Sequence, residues 1–421
     1  MLTQDTWIDL SDLYAWKGHF SGIQRVVYMY AKYYQQQGAK LFIYESSEHK
    51  YVQVYSLLPE TIETEDDGKK FRFFLKRIYT KLVPRFIRGY ISPLLRRVQH
   101  ILGLGLHQLQ SLYVQKYENP SIFNNGDTVI IMGAGWESEG FSQSISDIKR
   151  LQSIKLIHLV HDVLPLTQPH LFDTALCQRF TNYMNTMLPL CDGLISVSKA
   201  TLHEVESYAL EEKIPLTKKK KVVRLGEDSY EDKTVRRPSD FTSKKPYILS
   251  VGTIEVRKNH VLLYNAYKLA RSQGITLPDL VIVGRKGWLA NDFYDVISID
   301  RELKQTITLL QNVSDDELSW LYDNCLFTVY PSICEGWGLT ISDSIGKGKL
   351  CLTSNVSSMP EVAGHSADYF NPFDARDCME KIVMYSENTD ALRKKEKAIS
   401  QYSKTKWEDS FNDLREFTES V

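Results

Sequence analysis

The feature that most constrains the fold is an alternation of short apolar runs with amphipathic helical patterns, which occurs in two separate sets. Strands that alternate with helices predict parallel sheets covered by helices, so the fold class is α/β. The first set of runs comprises Trp7 to Leu10, Leu41 to Tyr44, Thr128 to Met132, Leu156 to Val160, Leu194 to Val197 and Val222 to Leu225. The second comprises Tyr247 to Val251, Leu280 to Val283, Ile307 to Leu310, Phe327 to Val329 and Leu350 to Thr353.

A polar, charge-rich stretch without apolar periodicity, Glu227 to Lys245, separates the two sets and is the best candidate for a linker. A chain of 421 residues is also too long for one ordinary core. We therefore expect an N-terminal domain over residues 1–235, a C-terminal domain over 236–400, and a helix within 401–421 that packs back on the N-terminal domain. Ligands of such sheets bind at the carboxyl ends of the strands, which here face a cleft between the domains.

Composition excludes several classes of function. A formal net charge of −1 provides no global field that would attract nucleic acid. The 6 cysteines include no C-x-x-C pair, so neither a zinc site nor a disulfide framework is expected, and reduced thiols in the cytoplasm are the simplest interpretation. The segment Met1 to Asp5 lacks the basic start and apolar core of a signal peptide, and no apolar stretch is long enough to span a bilayer.

The most informative local motif is a glycine-rich turn, Pro331 to Leu339, between an apolar strand and a helix that opens near Thr340. Glycines let a ligand approach the backbone closely, and the start of a helix offers free N–H groups to an anion. The carboxylate of Glu335 is unusual beside an anion site unless a polyhydroxyl group lies next to the phosphates. This turn therefore predicts binding of a nucleotide-sugar.

A second strand-to-helix junction carries adjacent cations. The strand from Tyr247 ends at Gly252, the loop contains Arg257 and Lys258, and a helix follows from about His260. Arg257 suits bidentate contact with a diphosphate and Lys258 acts as a point charge, although a solvated basic turn is the alternative interpretation. The turn after Leu280 to Val283 is a weaker instance of the same pattern, since it also contains a cation, Arg285. Arg285 either contacts the phosphate or base of the ligand or faces solvent.

Together these motifs resemble the donor-binding domain of family 4 retaining glycosyltransferases of the GT-B fold, in which two Rossmann-like domains face each other across a cleft. The resemblance covers nearly all of residues 245 to 385. In the first half, two shorter motifs look like those of bacterial mannosyl- and rhamnosyltransferases of O-antigen or capsule assembly. The shared motifs are Arg257 to Asn259, Val283 to Trp288, Glu335 to Leu339, Ser354 to Gly364, Ser21 to Val27 and His161 to Pro165.

The resemblance implies roles for individual residues on the donor side. Arg257 and Lys258 would hold the diphosphate and stabilise the leaving nucleotide, and Glu335 would accept hydrogen bonds from the sugar hydroxyls. A family glutamate eight residues after Glu335 binds the ribose. Here that position is Asp343, whose side chain is one methylene shorter, so the ribose contact is expected to be longer, water-bridged or absent. The alternative role for Asp343 is structural, because an acidic residue is favourable in the first turns of a helix. The other implied donor contacts are Gly252, Arg285 and the backbone of Gly336, Trp337, Gly338 and Leu339.

On the other side of the cleft, Gly22 would approach the donor phosphates with Arg25 nearby. His161, a catalytic candidate, would meet the donor sugar or the acceptor, and Asp162 and Trp136 would line the acceptor side. Simpler structural alternatives exist for four of these residues: a turn glycine at 22, a surface cation at 25, a structural histidine at 161 and a core tryptophan at 136.

The same resemblance implies a metal-independent reaction that retains the anomeric configuration. The sequence contains no D-x-D pair that would chelate a metal, and no convincing pair of carboxylates for double displacement. We therefore hypothesise front-face attack by an acceptor hydroxyl, assisted by the departing phosphate. The expected donor is a nucleotide-diphosphate sugar that carries a hexose or deoxyhexose, with mannose or rhamnose favoured, and no cofactor is expected.

A basic insertion at about residues 65–115 suggests how the acceptor is presented. Lys69 to Arg97 contains no acids and interleaves aromatic residues with basic residues such as Arg72, Lys76 and Arg77. A basic amphipathic helix of this kind contacts anionic membrane, which suits a lipid-linked glycan acceptor at the inner face of the cytoplasmic membrane. The alternative is a helical arm that packs on the protein or on a second subunit. Two other functions remain open: a GT-B transferase that acts on a soluble sugar, and a non-catalytic GT-B scaffold that binds a partner enzyme.

Overall fold

A computed structural model describes residues 4–17, 20–59, 121–227 and 235–421, and these form two α/β domains. The sheet of the first domain has the strand order β3-β2-β1-β4-β5-β6-β7, in which the hairpin β2–β3 is antiparallel and the other pairs are parallel. Its strands are β1 (Thr6–Asp9), β2 (Lys40–Glu45), β3 (Lys50–Val54), β4 (Thr128–Ile131), β5 (Lys155–Val160), β6 (Gly193–Ser196) and β7 (Lys220–Val222).

The second domain contains a wholly parallel sheet with the order β10-β9-β8-β11-β12-β13. In both sheets the order reverses between two strands, β1 and β4 in the first and β8 and β11 in the second. Ligands of open parallel sheets bind beside such reversals. The strands are β8 (Tyr247–Val251), β9 (Asp279–Val283), β10 (Ile307–Leu310), β11 (Thr328–Tyr330), β12 (Cys351–Ser354) and β13 (Asp368–Phe370).

Helices cover the sheets and connect their parallel strands. In the first domain they are α1 (Ser11–Ala15), α2 (Gly22–Gln36), α3 (Phe141–Leu151), α4 (Leu164–Thr167), α5 (Thr174–Met187) and α6 (Lys199–Glu211). The second half contributes α7 (His260–Ser272), α8 (Asn291–Ile299), α9 (Asp315–Asn324), α10 (Leu339–Gly346), α11 (Met359–Ala363), α12 (Ala375–Glu387), α13 (Thr389–Ile399) and α14 (Trp407–Ser420). The capping box that the sequence indicates at Ser314 and Glu317 starts α9.

The predicted set of strands requires three corrections. The edge strands β3 and β13 were not predicted, because β3 is half-buried throughout and β13 is only three residues long, so neither forms a continuous apolar run. The predicted strand at Val222 to Leu225 is displaced, since β7 ends at Val222. Val223 and Leu225 instead leave the sheet and are buried in the core that joins the two domains.

The last helix, α14, packs against α2 of the first domain. Trp407 is fully buried with its ring edge-on to Tyr30 at 5.5 Å, and Phe411 stacks on Tyr33 at 5.2 Å. Glu227, the first residue of the predicted linker, is also buried, and its carboxylate accepts a hydrogen bond from Tyr402 at 2.9 Å. The chain therefore crosses from the second domain back to the first through a packed interface.

No helix in the parts of the chain that the structure describes is long and apolar enough to cross a bilayer.

Candidate active site

A cavity of about 870 Å³ lies between the two domains. The loops that follow β8, β9 and β11 line it from the second domain, and the start of α2 and the end of β5 line it from the first. The loops after β8 and β11 leave the sheet at the reversal of strand order, where a parallel sheet leaves room for a ligand. The strand pattern of the sequence thus accounts for the position of the cavity.

The charged centre of the cavity is the carboxylate of Glu335. Its Oε1 accepts hydrogen bonds from Lys258 Nζ at 2.6 Å, Tyr330 Oη at 2.8 Å and Ser332 Oγ at 2.6 Å. Its Oε2 pairs with Arg257 Nη1 at 2.7 Å. The structure therefore brings the three strongest sequence candidates into one buried cluster, in which Glu335 orients both cations.

Electrostatics keep this cluster charged. Burial alone would favour a neutral Glu335, but Arg257 and Lys258 outweigh it and lower the pKa of this carboxyl to about 2. Burial lowers the pKa of the Lys258 amine, although Glu335 acts in the opposite direction. Glu335 is therefore an ionised hydrogen-bond acceptor at neutral pH, and a weak base.

Glu255 is a buried cavity residue that the sequence interpretation missed. Its Oε1 pairs with Arg257 Nη2 at 2.7 Å, and the Arg257 Nη1 also donates to the Cys334 carbonyl at 2.8 Å. Burial raises the pKa of Glu255, while Arg257 and Lys258 act in the opposite direction. The signal available in the sequence was an acid two residues before the cationic pair in the same loop.

The glycine-rich turn lies against the opposite domain. A Cβ atom on Gly336 would lie 2.0 Å from the carbonyl oxygen of His161, so only glycine fits at this crossing. Gly338 has φ of 113° and forms the N-cap of α10, a conformation that a residue with a side chain rarely adopts. Ser358 Oγ donates to the carbonyls of Glu335 and Trp337, both at 2.8 Å, and so fixes the turn.

Two helix N-termini face the cavity from opposite domains. Gly22 does not lie in a turn, which was the structural alternative for this glycine, but is the first residue of α2, which Ser21 caps reciprocally with Gln24. A Cβ atom on Gly22 would lie 3.3 Å from Leu339 Cδ1 at the start of α10. Unpaired N–H groups and the helix dipole make such a pair of termini a suitable place for a diphosphate.

His161 and Asp162 line the cavity at the end of β5, as the sequence indicated. His161 Nε2 donates to the carbonyl of Met132 at 2.7 Å, which leaves Nδ1 as the acceptor nitrogen, and burial lowers the pKa of this imidazole to about 4. Burial also raises the pKa of Asp162, whose Oδ1 accepts from the Leu164 N–H at 3.1 Å. His161 is therefore neutral and suited to accept a hydrogen bond from a sugar hydroxyl.

Arg25 and Asp343 meet across the cavity. Arg25 Nη1 and Nη2 donate to the two carboxylate oxygens of Asp343 at 3.1 and 3.0 Å. The residue at the predicted ribose position is thus held by a cation of the other domain, a contact that no local sequence pattern indicates.

The remaining candidates divide into three groups. Gly252, Arg285, Trp337 and Leu339 line the cavity, with the Arg285 guanidinium 5.2 Å from the centre of the Trp16 ring. Trp136 does not reach the cavity, because its ring packs edge-on against Phe180 at 4.8 Å and Tyr183 at 5.9 Å in the N-terminal core, which corrects its acceptor-side assignment. Arg72, Lys76 and Arg77 lie outside the described residues.

Further contacts join the domains around the cavity. The Glu361 carboxylate accepts the N–H groups of Lys199 at 2.8 Å and Ala200 at 2.7 Å, and so caps α6 from the opposite domain. Trp288 Nε1 donates to the Leu171 carbonyl at 2.8 Å on the other side of the cleft. The cavity is therefore held on several sides by specific contacts between domains.

Within residues 4–17, 20–59, 121–227 and 235–421, no group of three or more His, Cys, Asp or Glu side chains is arranged to hold a metal ion.

Comparison with known proteins finds a family match in the second half of the chain. Residues 231–406 match the family described as glycosyl transferases group 1. The chain is 23% identical over 289 residues to the serotype-specific mannosyltransferase WbdA of Escherichia coli. The matched region covers 64% of this chain and 35% of WbdA. It is 31% identical over 165 residues to the O-antigen chain mannosyltransferase B of Escherichia coli. This match covers 38% of the chain and 42% of the relative. The chain thus spans about a third to two fifths of the length of these relatives.

Among solved structures, Anabaena HepE in complex with UDP and glucose superimposes with a TM-score of 0.60 at 15% identity, over 100% of both chains. At this identity the likeness establishes the fold alone. The fold is GT-B, as the sequence predicted.

Proposed function

We propose that this protein is a glycosyltransferase that uses a nucleotide-diphosphate sugar, because residues 231–406 match the family described as glycosyl transferases group 1 and the fold is GT-B. The observation that carries the proposal is the cluster of Arg257, Lys258 and Glu335 in a cavity that the N-termini of α2 and α10 also line. Cations and helix termini suit a diphosphate, and a carboxylate beside them suits sugar hydroxyls. A nucleotide-sugar combines these two chemistries in one molecule.

The transferred sugar is a hexose or deoxyhexose, with mannose or rhamnose favoured. The two Escherichia coli relatives are named as mannosyltransferases, which supports mannose. HepE was crystallised with UDP and glucose, which supports a nucleotide-sugar donor in a cleft of this shape.

In the proposed reaction an acceptor hydroxyl attacks the anomeric carbon from the face that the diphosphate leaves. The bond from this carbon to the phosphate oxygen breaks, the bond to the acceptor oxygen forms, and the hydroxyl proton passes to the departing phosphate. Lys258, Arg257 and the helix N-termini stabilise the charge that develops on the diphosphate. The product then retains the anomeric configuration of the donor, and the step requires no metal.

Two features of the cavity support this route over double displacement. Both oxygens of Glu335 are held by other side chains, and its pKa of about 2 makes it a weak base. His161 is neutral, and its Nδ1 suits it to accept a hydrogen bond from a hydroxyl of the sugar or acceptor. The departing phosphate is then the base nearest to the new bond.

We further propose that the acceptor is a growing surface glycan of the O-antigen or capsule type, linked to lipid at the inner face of the cytoplasmic membrane. The O-antigen mannosyltransferase named above supports the class of acceptor. The basic residues Arg72, Lys76 and Arg77 support contact with anionic lipid. Sedimentation with anionic liposomes tests this contact, because reversal of these three charges to Glu should abolish binding. Equal binding of both forms would remove the membrane proposal.

The central experiment is a thermal-shift screen of the full chain with UDP, GDP, dTDP and their sugars, followed by transfer assays with the stabilising donor. Product anomericity is read by NMR, and an inverted product would overturn the proposed route. Glu335→Ala should abolish transfer, whereas Glu302→Ala, which removes a half-exposed carboxylate outside the cavity, should not. Transfer by Glu335→Ala at the wild-type rate would overturn the assigned site, and stabilisation by none of the nucleotides would overturn the proposed function.

A further inference from the structure

Acidic side chains outnumber cations immediately around Arg257 and Lys258. Glu255, Glu335 and Asp162 surround Arg257 and Lys258, and all five side chains line the cavity. When all are ionised, these five side chains carry one net negative charge. The diphosphate of a nucleotide-sugar brings two more, so its binding places like charges beside the buried carboxylates of Glu255 and Glu335.

One of the acids can relieve this repulsion by taking up a proton, and Glu335 is not suited to do so. It accepts from Lys258, Tyr330, Ser332 and Arg257, and donors of this kind stabilise the ionised form. Glu255 differs, because in the described part of the chain Arg257 is the one partner of its carboxylate. The side chain of Glu255 is 2% exposed, so water does not stabilise its charge.

The position of Arg257 connects Glu255 to the ligand. Its guanidinium bridges Glu255 through Nη2 and Glu335 through Nη1. A diphosphate that engages Arg257 competes with Glu255 for the same cation. Glu255 then loses the one partner that its carboxylate has among the described residues, and its charge becomes the most costly of the three.

Other charged groups near Glu255 do not replace Arg257. The turn after β9 packs against it, since a Cβ atom on Gly287 would lie 3.0 Å from the Glu255 Cβ. On this turn, Arg285 lies over the ring of Trp16 and Lys286 over that of Tyr294, at 5.2 and 4.9 Å.

On the other sides of Glu255, the residues that the structure describes provide no replacement cation either. Lys258, on its own loop, is bound to Glu335 and Tyr330, and His161 is neutral. Asp162 across the cleft adds negative charge, and its Oδ1 keeps the hydrogen bond from Leu164.

We propose that Glu255 takes up one proton from solvent when the donor diphosphate binds, and so releases Arg257 to the diphosphate. This inference rests on the proposed function and deepens it. Glu255 becomes a positioning residue that acts through Arg257, and donor affinity becomes dependent on pH. Because binding takes up a proton, the dissociation constant rises with pH, by at most about tenfold per pH unit.

Isothermal titration calorimetry of the full chain with GDP-mannose and UDP-glucose tests this inference. The dependence of the observed heat on the ionisation enthalpy of the buffer gives the number of protons taken up. We expect about one proton per nucleotide-sugar for the wild type and none for Glu255→Gln, which has the shape of the protonated acid. Glu255→Gln should also bind with an affinity that does not change with pH.

A matched variant separates the two acids. Asp162→Asn should keep the proton uptake, and uptake that persists in Glu255→Gln or disappears in Asp162→Asn would overturn the proposal. If Glu255→Gln does not fold, the wild type and Asp162→Asn decide the question alone. Binding by the wild type without proton uptake would overturn this inference and leave the proposed function intact. Binding of neither nucleotide-sugar, nor of any other donor in the thermal-shift screen, would overturn both.

Discussion

Arg25 of α2 and Asp343 of α10 form a bidentate ion pair that joins the two domains across the cavity, with nitrogen–oxygen distances of 3.1 and 3.0 Å. The side chains are 22% and 9% exposed, so water screens the pair weakly. The planar guanidinium matches the carboxylate geometry, which lysine would not reproduce. Asp343, for which the sequence resemblance predicts a ribose contact, is therefore a contact between the two domains.

Removal of either charge of this pair should weaken donor binding. We expect Arg25→Gln and Asp343→Asn each to raise the dissociation constant of the nucleotide-sugar by on the order of tenfold or more. Each variant removes hydrogen bonds that join the two domains across the donor cavity, and a hydrogen bond to a charged group contributes about 1.5–3 kcal/mol. Calorimetric titration provides the measurement. Arg236→Gln, which removes an exposed pair with Glu317, serves as control. Wild-type affinity in Asp343→Asn would contradict a role of this carboxylate in donor binding.

Lys258 should affect the chemical step more than donor binding. Its amine lies in the buried cluster where charge on the departing diphosphate develops, so Lys258→Ala should lower kcat by about 10²–10³-fold. Steady-state kinetics of transfer measure this loss. Lys268→Ala removes a half-exposed lysine paired with Asp300 outside the cavity and should leave kcat unchanged. An unchanged kcat in Lys258→Ala would show that the leaving group is stabilised elsewhere.

Gly336→Ala should impair closure of the cleft while both domains remain folded. The added methyl group meets the backbone carbonyl of His161 at 2.0 Å, and backbone cannot move aside as the end of a flexible side chain can. We expect loss of transfer, an unchanged circular dichroism spectrum and a larger radius of gyration by small-angle scattering. Gly346→Ala, where the nearest atom lies 3.7 Å away, is the matched control. Full activity of Gly336→Ala would contradict the closed arrangement.

Trp407 should be essential for the packing of α14 on the first domain. Its side chain is fully buried against Tyr30, and truncation of a buried aromatic residue to alanine costs about 3–5 kcal/mol. Trp407→Ala should therefore lower the melting temperature measured by calorimetry. Phe373→Ala, which truncates a ring that is 72% exposed, should leave it unchanged. Equal melting temperatures for the two variants would show that α14 contributes little to stability.

Acid should destabilise the protein through its buried histidines. Burial lowers the pKa of His158 to about 3, of His161 to about 4 and of His260 to about 3, all from 6.5. The folded state keeps them neutral while the unfolded state protonates, so their contribution to stability is complete above about pH 6.5 and is lost as the pH falls toward 4 and 3. Asp9 and Glu204 oppose this trend, because burial raises their pKa values to about 6 and about 7.

A variant isolates the contribution of one histidine from these opposing groups. The free energy of unfolding of His260→Leu should rise relative to the wild type by at most about 1.4 kcal/mol per pH unit as the pH falls below about 6.5. Urea denaturation at several pH values measures the difference. A constant difference between variant and wild type would contradict a neutral, buried His260.

The fold class and most strands were predictable from the sequence, because buried parallel strands are continuous apolar runs whatever their neighbours are. It missed β3 and β13, which are edge strands and lack such runs. The glycine-rich turn and the loop with Arg257 and Lys258 were recognisable because each motif is local, with its glycines and charges within a few residues.

How these motifs meet depends on the tertiary structure. Lys258 and Glu335 are 77 residues apart, and Arg25 and Asp343 are 318 residues apart, so no periodicity or local spacing connects them. Their contacts follow from strand order and from the packing of one domain on the other. The same packing placed the Trp136 ring against Phe180 and Tyr183 rather than on the acceptor side of the cleft, and it placed Glu255 beside Arg257. Local sequence specifies which chemical groups a loop presents, whereas tertiary packing selects their partners and thereby their charge.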